Sequence, residues 1–199
     1  VTEALASADA TTACREAVAG GADVIQMREK ALEDGAFCER AEQLREICRE
    51  GGALFLVNDR VHIAHLTQTD GVHLGQGDLP VHLARRLVGY DRILGRSTRG
   101  PAFAEAALAE GADYIGVGPV FATATKEHRA PAGLDYVRHA AAHVALPHFC
   151  IGGVNRETLG QVLAAGGRRV AVCTAIIGAR DIAAEAAWFK EQIAAAGPV

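Results

Sequence analysis

Short apolar runs rich in β-branched residues alternate along the chain with longer stretches of helical periodicity. The runs at Asp23–Met27, Ala53–Asn58, Gly71–Leu74, Arg92–Ser97, Tyr114–Pro119, His148–Gly152 and Arg169–Ile176 read as strands. The stretches Ala10–Ala19, Asp34–Glu50, Asp59–Leu66, Pro80–Leu87, Pro101–Glu110, Leu134–His143, Arg156–Ala165 and Ile182–Ala195 read as helices. Strand starts lie 30, 18, 21, 22, 34 and 21 residues apart, the length of a βα unit and too long for hairpins. The strands are apolar on both faces, as expected of a parallel sheet covered by helices. Glycines close several helices just before a strand (Gly20-Gly21, Gly51-Gly52, Gly111, Gly166-Gly167), where the left-handed C′ conformation ends a helix without strain. A Gly-Ala-Asp-strand motif recurs at Gly21–Val24 and Gly111–Tyr114, with a relative at Thr69–Gly71, so one unit repeats.

Seven strands with a helix ahead of the first call for an eighth, and Val1 and Thr2 read as its tail. The chain therefore predicts an α/β protein of the (β/α)8 TIM-barrel class, a single domain over residues 1–199 with its first strand largely absent from the sequence. The rival, an open doubly wound sheet, lacks its Gly-x-Gly-x-x-Gly turn after an early strand. A barrel places its chemistry on the loops after the strands, so polar residues there should converge.

Composition narrows the partners. The 199 residues are 50% hydrophobic and 22% charged, a globular balance that excludes disorder as the main state. No apolar run reaches the roughly 18 residues of a membrane span, and no charged-then-apolar leader opens the sequence. The net charge of −4 argues against a nucleic-acid partner. Cys14, Cys38, Cys48, Cys150 and Cys173 are odd in number and form no Cys-x-x-Cys pair, which predicts reduced thiols and a cytoplasmic protein.

The strand ends are rich in chemistry, and each signal has a plainer reading. Gln26, Arg28 and Lys30 alternate and share one face of an extended chain. Two inward cations are costly without an anion, or they are solvated charges. Asn58 and Asp59 suit a helix cap or a ligand site. Asp78, in a glycine-rich loop, either caps the next helix before Pro80 or joins Asp59 on a neighbouring loop. Two carboxylates facing Arg28 and Lys30 would suit Mg2+ with a diphosphate. His73 reads as a packed strand residue, and Ser97 as a turn residue or a ligand donor. Thr123, Thr125 and Lys126 offer two hydroxyls and an ammonium to a phosphate or carboxylate, or form a solvated loop. Gly152, Gly153, Cys173 and Thr174 end the last two strands, where barrels of this class hold phosphate on backbone N–H groups; a tight turn alone is the alternative. His62 and His65 lack a third ligand for zinc, Trp188 reads as core, and Glu127, His128 and Arg129 as solvated. The residues alone indicate two anionic ligands, hence a transferase or lyase, without naming the substrates.

Seven ordered motifs closely resemble the thiamine phosphate synthase family. They are Gln-x-Arg-x-Lys at 26–30, Val-Asn-Asp-Arg at 57–60, Asp-Gly-Val-His-Leu-Gly-Gln-x-Asp-Leu-Pro at 70–80, Gly-x-Ser-Thr at 95–98, Gly-Ala-Asp-Tyr-x-x-x-Gly-Pro-Val-Phe-x-Thr-x-Thr-Lys at 111–126, Ile-Gly-Gly-Val at 151–154 and Val-x-Val-x-x-Ala-Ile at 170–176. The resemblance implies a (β/α)8 barrel that joins hydroxymethylpyrimidine diphosphate to thiazole phosphate and releases diphosphate. It implies that Gln26, Arg28, Lys30, Asn58, Ser97 and Lys126 hold the pyrimidine diphosphate, that Asp59 and Asp78 hold Mg2+, and that Thr123, Thr125, Gly152, Gly153, Cys173 and Thr174 hold the thiazole phosphate. Diphosphate would leave first, with Arg28, Lys30, Lys126 and Ser97 as catalytic groups and no protein nucleophile. A homo-oligomer is compatible with this reading. The chain departs from the family at Met27, at Ala122 and Ala124 (often proline), at Glu127 (often basic) and at Thr174 (often serine). The alternatives are a thiazole tautomerase, against which Pro119 stands where its histidine would be, and a non-catalytic thiazole-phosphate-binding regulator, against which both carboxylates stand.

Overall fold

The computed structural model describes residues 9–122 and 130–197. Its centre is a seven-stranded, fully parallel sheet in the order β1-β2-β3-β4-β5-β6-β7. The strands are β1 (Val24–Met27), β2 (Leu54–Asn58), β3 (Gly71–Leu74), β4 (Ile93–Thr98), β5 (Tyr114–Val117), β6 (His148–Ile151) and β7 (Val170–Ala171). Each strand pairs with its neighbours in sequence, so the order never reverses as it does in a doubly wound sheet. The helices are α1 (Ala10–Ala19), α2 (Asp34–Gly51), α3 (Val61–Leu66), α4 (Val81–Val88), α5 (Pro101–Ala109), α6 (Gly133–His143), α7 (Leu159–Ala164), α8 (Thr174–Ile177) and α9 (Ile182–Ala195). Among the described residues β1 and β7 do not pair, yet α1 packs against both α2 and α9, so the helical layer continues past the gap in the strand layer. The expected strand at Val1 and Thr2 lies outside the described residues. No helix among the described residues is long and apolar enough to cross a membrane.

Side chains alternate between the two faces of each strand. Met27, Phe55, Val57, Leu74, Leu94 and Ile115 point at the helices and are fully buried against residues such as Phe37, Leu44 and Ile63. The opposite face carries Gln26, His73, Ser97 and Tyr114. Alternate strands of a barrel contribute to one interior layer, and Gln26, His73 and Tyr114 come from β1, β3 and β5.

The recurring Asp before a strand has a structural cause. Asp70 Oδ2 accepts the Phe55 N–H at 2.7 Å, and Asp113 Oδ2 accepts the Leu94 N–H at 2.7 Å. Each carboxylate thus replaces a missing ladder partner at the start of the preceding strand, where an unmade backbone hydrogen bond costs about 1–3 kcal/mol.

Several element boundaries shift from the sequence reading, and three of the shifts have a clear local cause. The strand expected over Arg169–Ile176 ends at Ala171, and the apolar residues after it form α8. A short apolar run does not distinguish strand from buried helix. The chain turns at Cys173 (φ −116°, ψ −89°), whose carbonyl accepts the N–H groups of Ile176 and Ile177. The helix expected from Asp59 starts at Val61, because Asp59 has φ +65°. The helix expected from Arg156 starts at Leu159, because Asn155 holds the preceding turn by accepting the N–H groups of Glu157 and Thr158. All five cysteines stand outside disulfides, with Cys14 and Cys48 in sulfur contact at 3.7 Å between α1 and α2.

Candidate active site

The chain leaves β2 through two successive three-residue turns. Arg60 N–H donates to Asn58 O at 2.8 Å around Asp59, and Val61 N–H donates to Asp59 O at 3.0 Å around Arg60. A γ-turn with positive φ is rare and strained, though Asp and Asn tolerate it best among non-glycine residues. Arg60, not Asp59, is the residue ahead of α3, and no side chain caps that helix. The plain helix-cap reading of Asn58 and Asp59 therefore fails. It fails for Asp78 too: α4 follows Pro80, the Val81 N–H at its start donates to Glu110 Oε2 at 3.2 Å, and Asp78 Oδ2 instead accepts the Gly75 N–H at 2.6 Å.

These turns bring the two carboxyl groups into a hydrogen bond with each other. Burial pushes Asp59 up to about 6, and the neighbouring Asp78 carboxylate adds to the rise; the charges of Lys30 and Arg28 oppose it. Burial also works upward on Asp78. It nevertheless ends below its ordinary value, because hydrogen bonds from Asp59 and the Gly75 N–H and the charges of Lys30 and Arg96 outweigh that effect. Of the two, Asp59 takes up a proton more readily. Arg28, Glu29, Lys30, Asn58, Asp59 and Arg60 line a cleft of 270 Å³ beside this pair. The structure thus gathers Arg28, Lys30, Asn58, Asp59 and Asp78 from three strand ends onto one rim.

Arg60 fixes one wall of the cleft. Its guanidinium donates to Leu32 O at 2.6 Å and Glu29 O at 3.3 Å, pairs with Asp34 at 2.6 Å, and lies 4.4 Å from the Phe37 ring centroid. The loop that bears Lys30 is therefore tied to the turn that bears Asp59.

Below the rim a hydrogen-bonded chain crosses the interior. Gln26 bonds the Tyr114 hydroxyl, Tyr114 Oη lies 2.9 Å from His73 Nδ1, and His73 Nε2 lies 2.9 Å from Ser97 Oγ. Burial pushes the Tyr114 phenol up, and the Gln26 hydrogen bond opposes this. A side chain at Gly95 would collide with the Tyr114 ring, its Cβ falling 2.1 Å from Cζ. Gln76 Nε2 donates to Ser97 O at 2.5 Å. Sequence reasoning found Gln26 and Ser97 but took His73 as a packing residue and passed over Tyr114. A histidine and a tyrosine alternating inward on strands of one layer were the available signal.

On the other side of the rim, Gly152 and Gly153 have φ +97° and +68°. A Cβ on Gly152 would lie 2.5 Å from Pro119 Cβ, and one on Gly153 would lie 2.7 Å from Phe121 Cβ. Val120 N–H and Phe121 N–H donate to Ile151 O and Gly152 O, which docks the loop after β5 on these glycines. Both glycines are required by the fold itself. Cys173 is half-buried, and Thr174 is exposed as the first residue of α8. Thr123, Thr125 and Lys126, with Glu127, His128 and Arg129, lie outside the described residues.

The donor set fits Mg2+, a hard cation that takes one or two carboxylates and completes its shell with water and phosphate oxygens. Two coupled carboxyl groups meet that demand. No cluster of three or more His, Cys, Asp or Glu residues among the described residues suggests an all-protein metal cage.

Residues 1–176 match the family model described as thiamine monophosphate synthase. The chain is 53% identical over 161 residues to a thiamine-phosphate synthase from a Synechocystis species, covering 81% of this chain and 47% of that one. It is 49% identical over 177 residues to a thiamine-phosphate synthase from Gloeobacter violaceus, covering 89% of this chain and 52% of that one. The chain thus spans about half the length of the curated relatives it matches. Among solved structures it is similar to a thiamine phosphate pyrophosphorylase from Pyrococcus furiosus, with 33% identity and a TM-score of 0.90, covering 99% of this chain and 95% of that one.

Proposed function

The chain belongs to the thiamine monophosphate synthase family, and on that premise we propose that it joins hydroxymethylpyrimidine diphosphate to thiazole phosphate, giving thiamine phosphate and diphosphate. The observation that carries this reading is the coupled Asp59–Asp78 pair on a rim shared with Arg28 and Lys30. Acid and base are packed together beside an open cleft, an arrangement suited to a polyanion with its divalent cation.

Asp59 and Asp78 would hold Mg2+, which neutralises charge on the departing diphosphate when bound. Arg28 and Lys30 present two fixed cations to the same oxygens, and Asn58 adds an amide at the cleft wall. These groups act by preorganised electrostatics, strongest where charge grows as the C–O bond to diphosphate breaks. Gln26 and Ser97 are held by the Tyr114–His73 chain, so their polar groups face the interior in fixed orientations where the pyrimidine ring would enter. The thiazole nitrogen is itself the nucleophile, so no protein nucleophile is needed. Thr123, Thr125 and Lys126, and the backbone at Gly152, Gly153, Cys173 and Thr174, are assigned to the phosphates by family resemblance.

The test mixes both substrates with and without Mg2+ and follows diphosphate and thiamine phosphate together. Metal-dependent appearance of both in equal amounts supports the proposal. Saturable binding of thiazole phosphate without either product overturns it.

A further inference from the structure

Arg96 is out of place by the pattern of its strand. On β4 the helix-facing positions are Leu94, Arg96 and Thr98, and Arg96 is only 8% exposed. A strand covered by helices should carry apolar residues there, and a buried guanidinium is tolerated only when its donors are satisfied. Its Nη1 donates to Gly75 O at 2.8 Å and to Leu79 O at 3.4 Å. Those carbonyls bracket the turn that carries Asp78. Gly75 O also accepts the Asp78 N–H at 3.2 Å, and Asp78 Oδ2 accepts the Gly75 N–H. The turn is closed on itself, and its position relative to the sheet depends on what β4 supplies. β4 supplies the Arg96 guanidinium and, through Ser97 O, an acceptor for Gln76.

We propose that Arg96 is a positioning residue for the Asp78 carboxylate, acting by pinning both ends of the 75–79 turn to β4. This rests on the assignment of Asp59 and Asp78 to a divalent cation. Carbonyl oxygens require donors alone, and guanidinium offers several in a fixed plane, whereas an ammonium is a compact point charge on a flexible stem. The neighbouring loop is built alike, with Arg60 from the end of β2 holding Glu29 O and Leu32 O. Two of the three loops that bring charge to the rim, those after β1 and β3, are thus held by an arginine on or just beyond the next strand.

A control exists within the molecule. Arg85 is also a largely buried arginine that donates to main-chain carbonyls, of Arg92 at 2.5 Å and Gly89 at 3.2 Å, but at the N-terminal ends of the strands. Mn2+ binding to the full chain, read from the free-ion electron paramagnetic resonance signal without substrates, separates positioning from mere stability. Arg96→Met weakens Mn2+ binding about 10- to 100-fold, the usual effect of losing a group that orients a metal ligand. Arg85→Met lowers the urea midpoint but leaves Mn2+ affinity within about twofold of the parent chain, below any such orienting effect. Parent-like Mn2+ affinity in folded Arg96→Met, or equal loss in Arg85→Met, overturns the inference. If Arg96→Met does not fold, Arg96→Lys replaces it, with a smaller loss of roughly three- to tenfold expected from its single ammonium; unchanged affinity there is equally contradictory. Asp78→Asn is measured alongside. Mn2+ binding that survives Asp78→Asn removes the cation site and the inference together. Binding lost in Asp78→Asn but kept in Arg96→Met removes the inference alone.

Discussion

Asp70 and Asp113 stand at the N-terminal ends of β3 and β5, where each accepts the N–H of the second residue of the preceding strand, Phe55 and Leu94; Asp113 also pairs with Arg85 at 2.7 Å. Asp59 and Asp78 stand at the C-terminal ends of β2 and β3, where their carboxyl groups press on each other. The residue type and the sheet are the same at both ends. At the lower rim each carboxylate completes the backbone ladder. At the upper rim Asp78 takes one N–H from its own turn, and Asp59 sits at a positive φ with a raised pKa. Strain and like-charge contact gather at sites of function. The two rims should therefore respond to mutation with opposite signs: stability at the lower, activity at the upper.

The largest effect belongs to Asp59→Asn. Asn keeps the shape and accepts the positive φ. Diphosphate release should fall roughly 10³-fold, the scale of several kcal/mol of lost charge stabilisation. The metal-free variant should melt a few degrees higher, since about 1 kcal/mol moves Tm by ~2–4 °C in a chain of this size. A loss of both activity and stability would erase the contrast between the rims.

Next comes the interior chain that supports the upper rim. Phe at His73 cannot bridge Tyr114 and Ser97. His73→Phe removes both hydrogen bonds and, through the loosened Ser97, should lower kcat/KM by roughly tenfold, or about 1.4 kcal/mol. Ser97→Ala should have an effect of similar size, and the double variant should add little beyond either, because the two act through one contact.

Asp113→Ala probes the lower rim. It strips the acceptor from the Leu94 N–H and the partner from Arg85, and should cost about 2 kcal/mol by urea unfolding. Its kcat/KM should stay at the parent value, and a tenfold fall would break the division.

The smallest effect is a pH dependence. Burial, with the charge of Arg169, holds His148 below the ordinary histidine value, against the opposing pull of its hydrogen bond to Leu146. The folded state therefore prefers the neutral ring. Above the unfolded value of about 6.5 both states are neutral and nothing is lost. As pH falls below 6.5 toward the lower folded value, the unfolded chain takes the proton first and stability declines. His148→Asn should flatten that decline in thermal melts between pH 7.5 and 5.5.

Much of this molecule is legible in its sequence, for physical reasons that also mark the limit. Phe55, Val57, Leu94 and Ile115 reveal their strands because a sheet covered by helices needs apolar residues on that face. Asp59 and Asp78 stand out as charges at strand ends, and the lower-rim aspartates repeat as a motif. What escaped depends on contacts between distant elements. The apolar run through Ile176 gave no sign of α8, whose start rests on the turn at Cys173. His73 is buried, as a packing residue would be, but its two ring nitrogens are used across three strands. Arg96 had a signal that went unread, a charge in the middle of a strand covered on both faces. The strained turn at Asp59 had none, since Asn-Asp-Arg suits a helix cap equally well.

The most direct measurement is Mg2+-dependent diphosphate release, coupled to detection of thiamine phosphate, for the parent chain and for Asp59→Asn at equal folded concentration. The account predicts release that rises with Mg2+ in the parent and collapses in the variant, which remains at least as stable as the parent in metal-free buffer. Release that is indifferent to Mg2+, or that survives in Asp59→Asn, would contradict the assignment of the upper rim as the reacting end of the barrel.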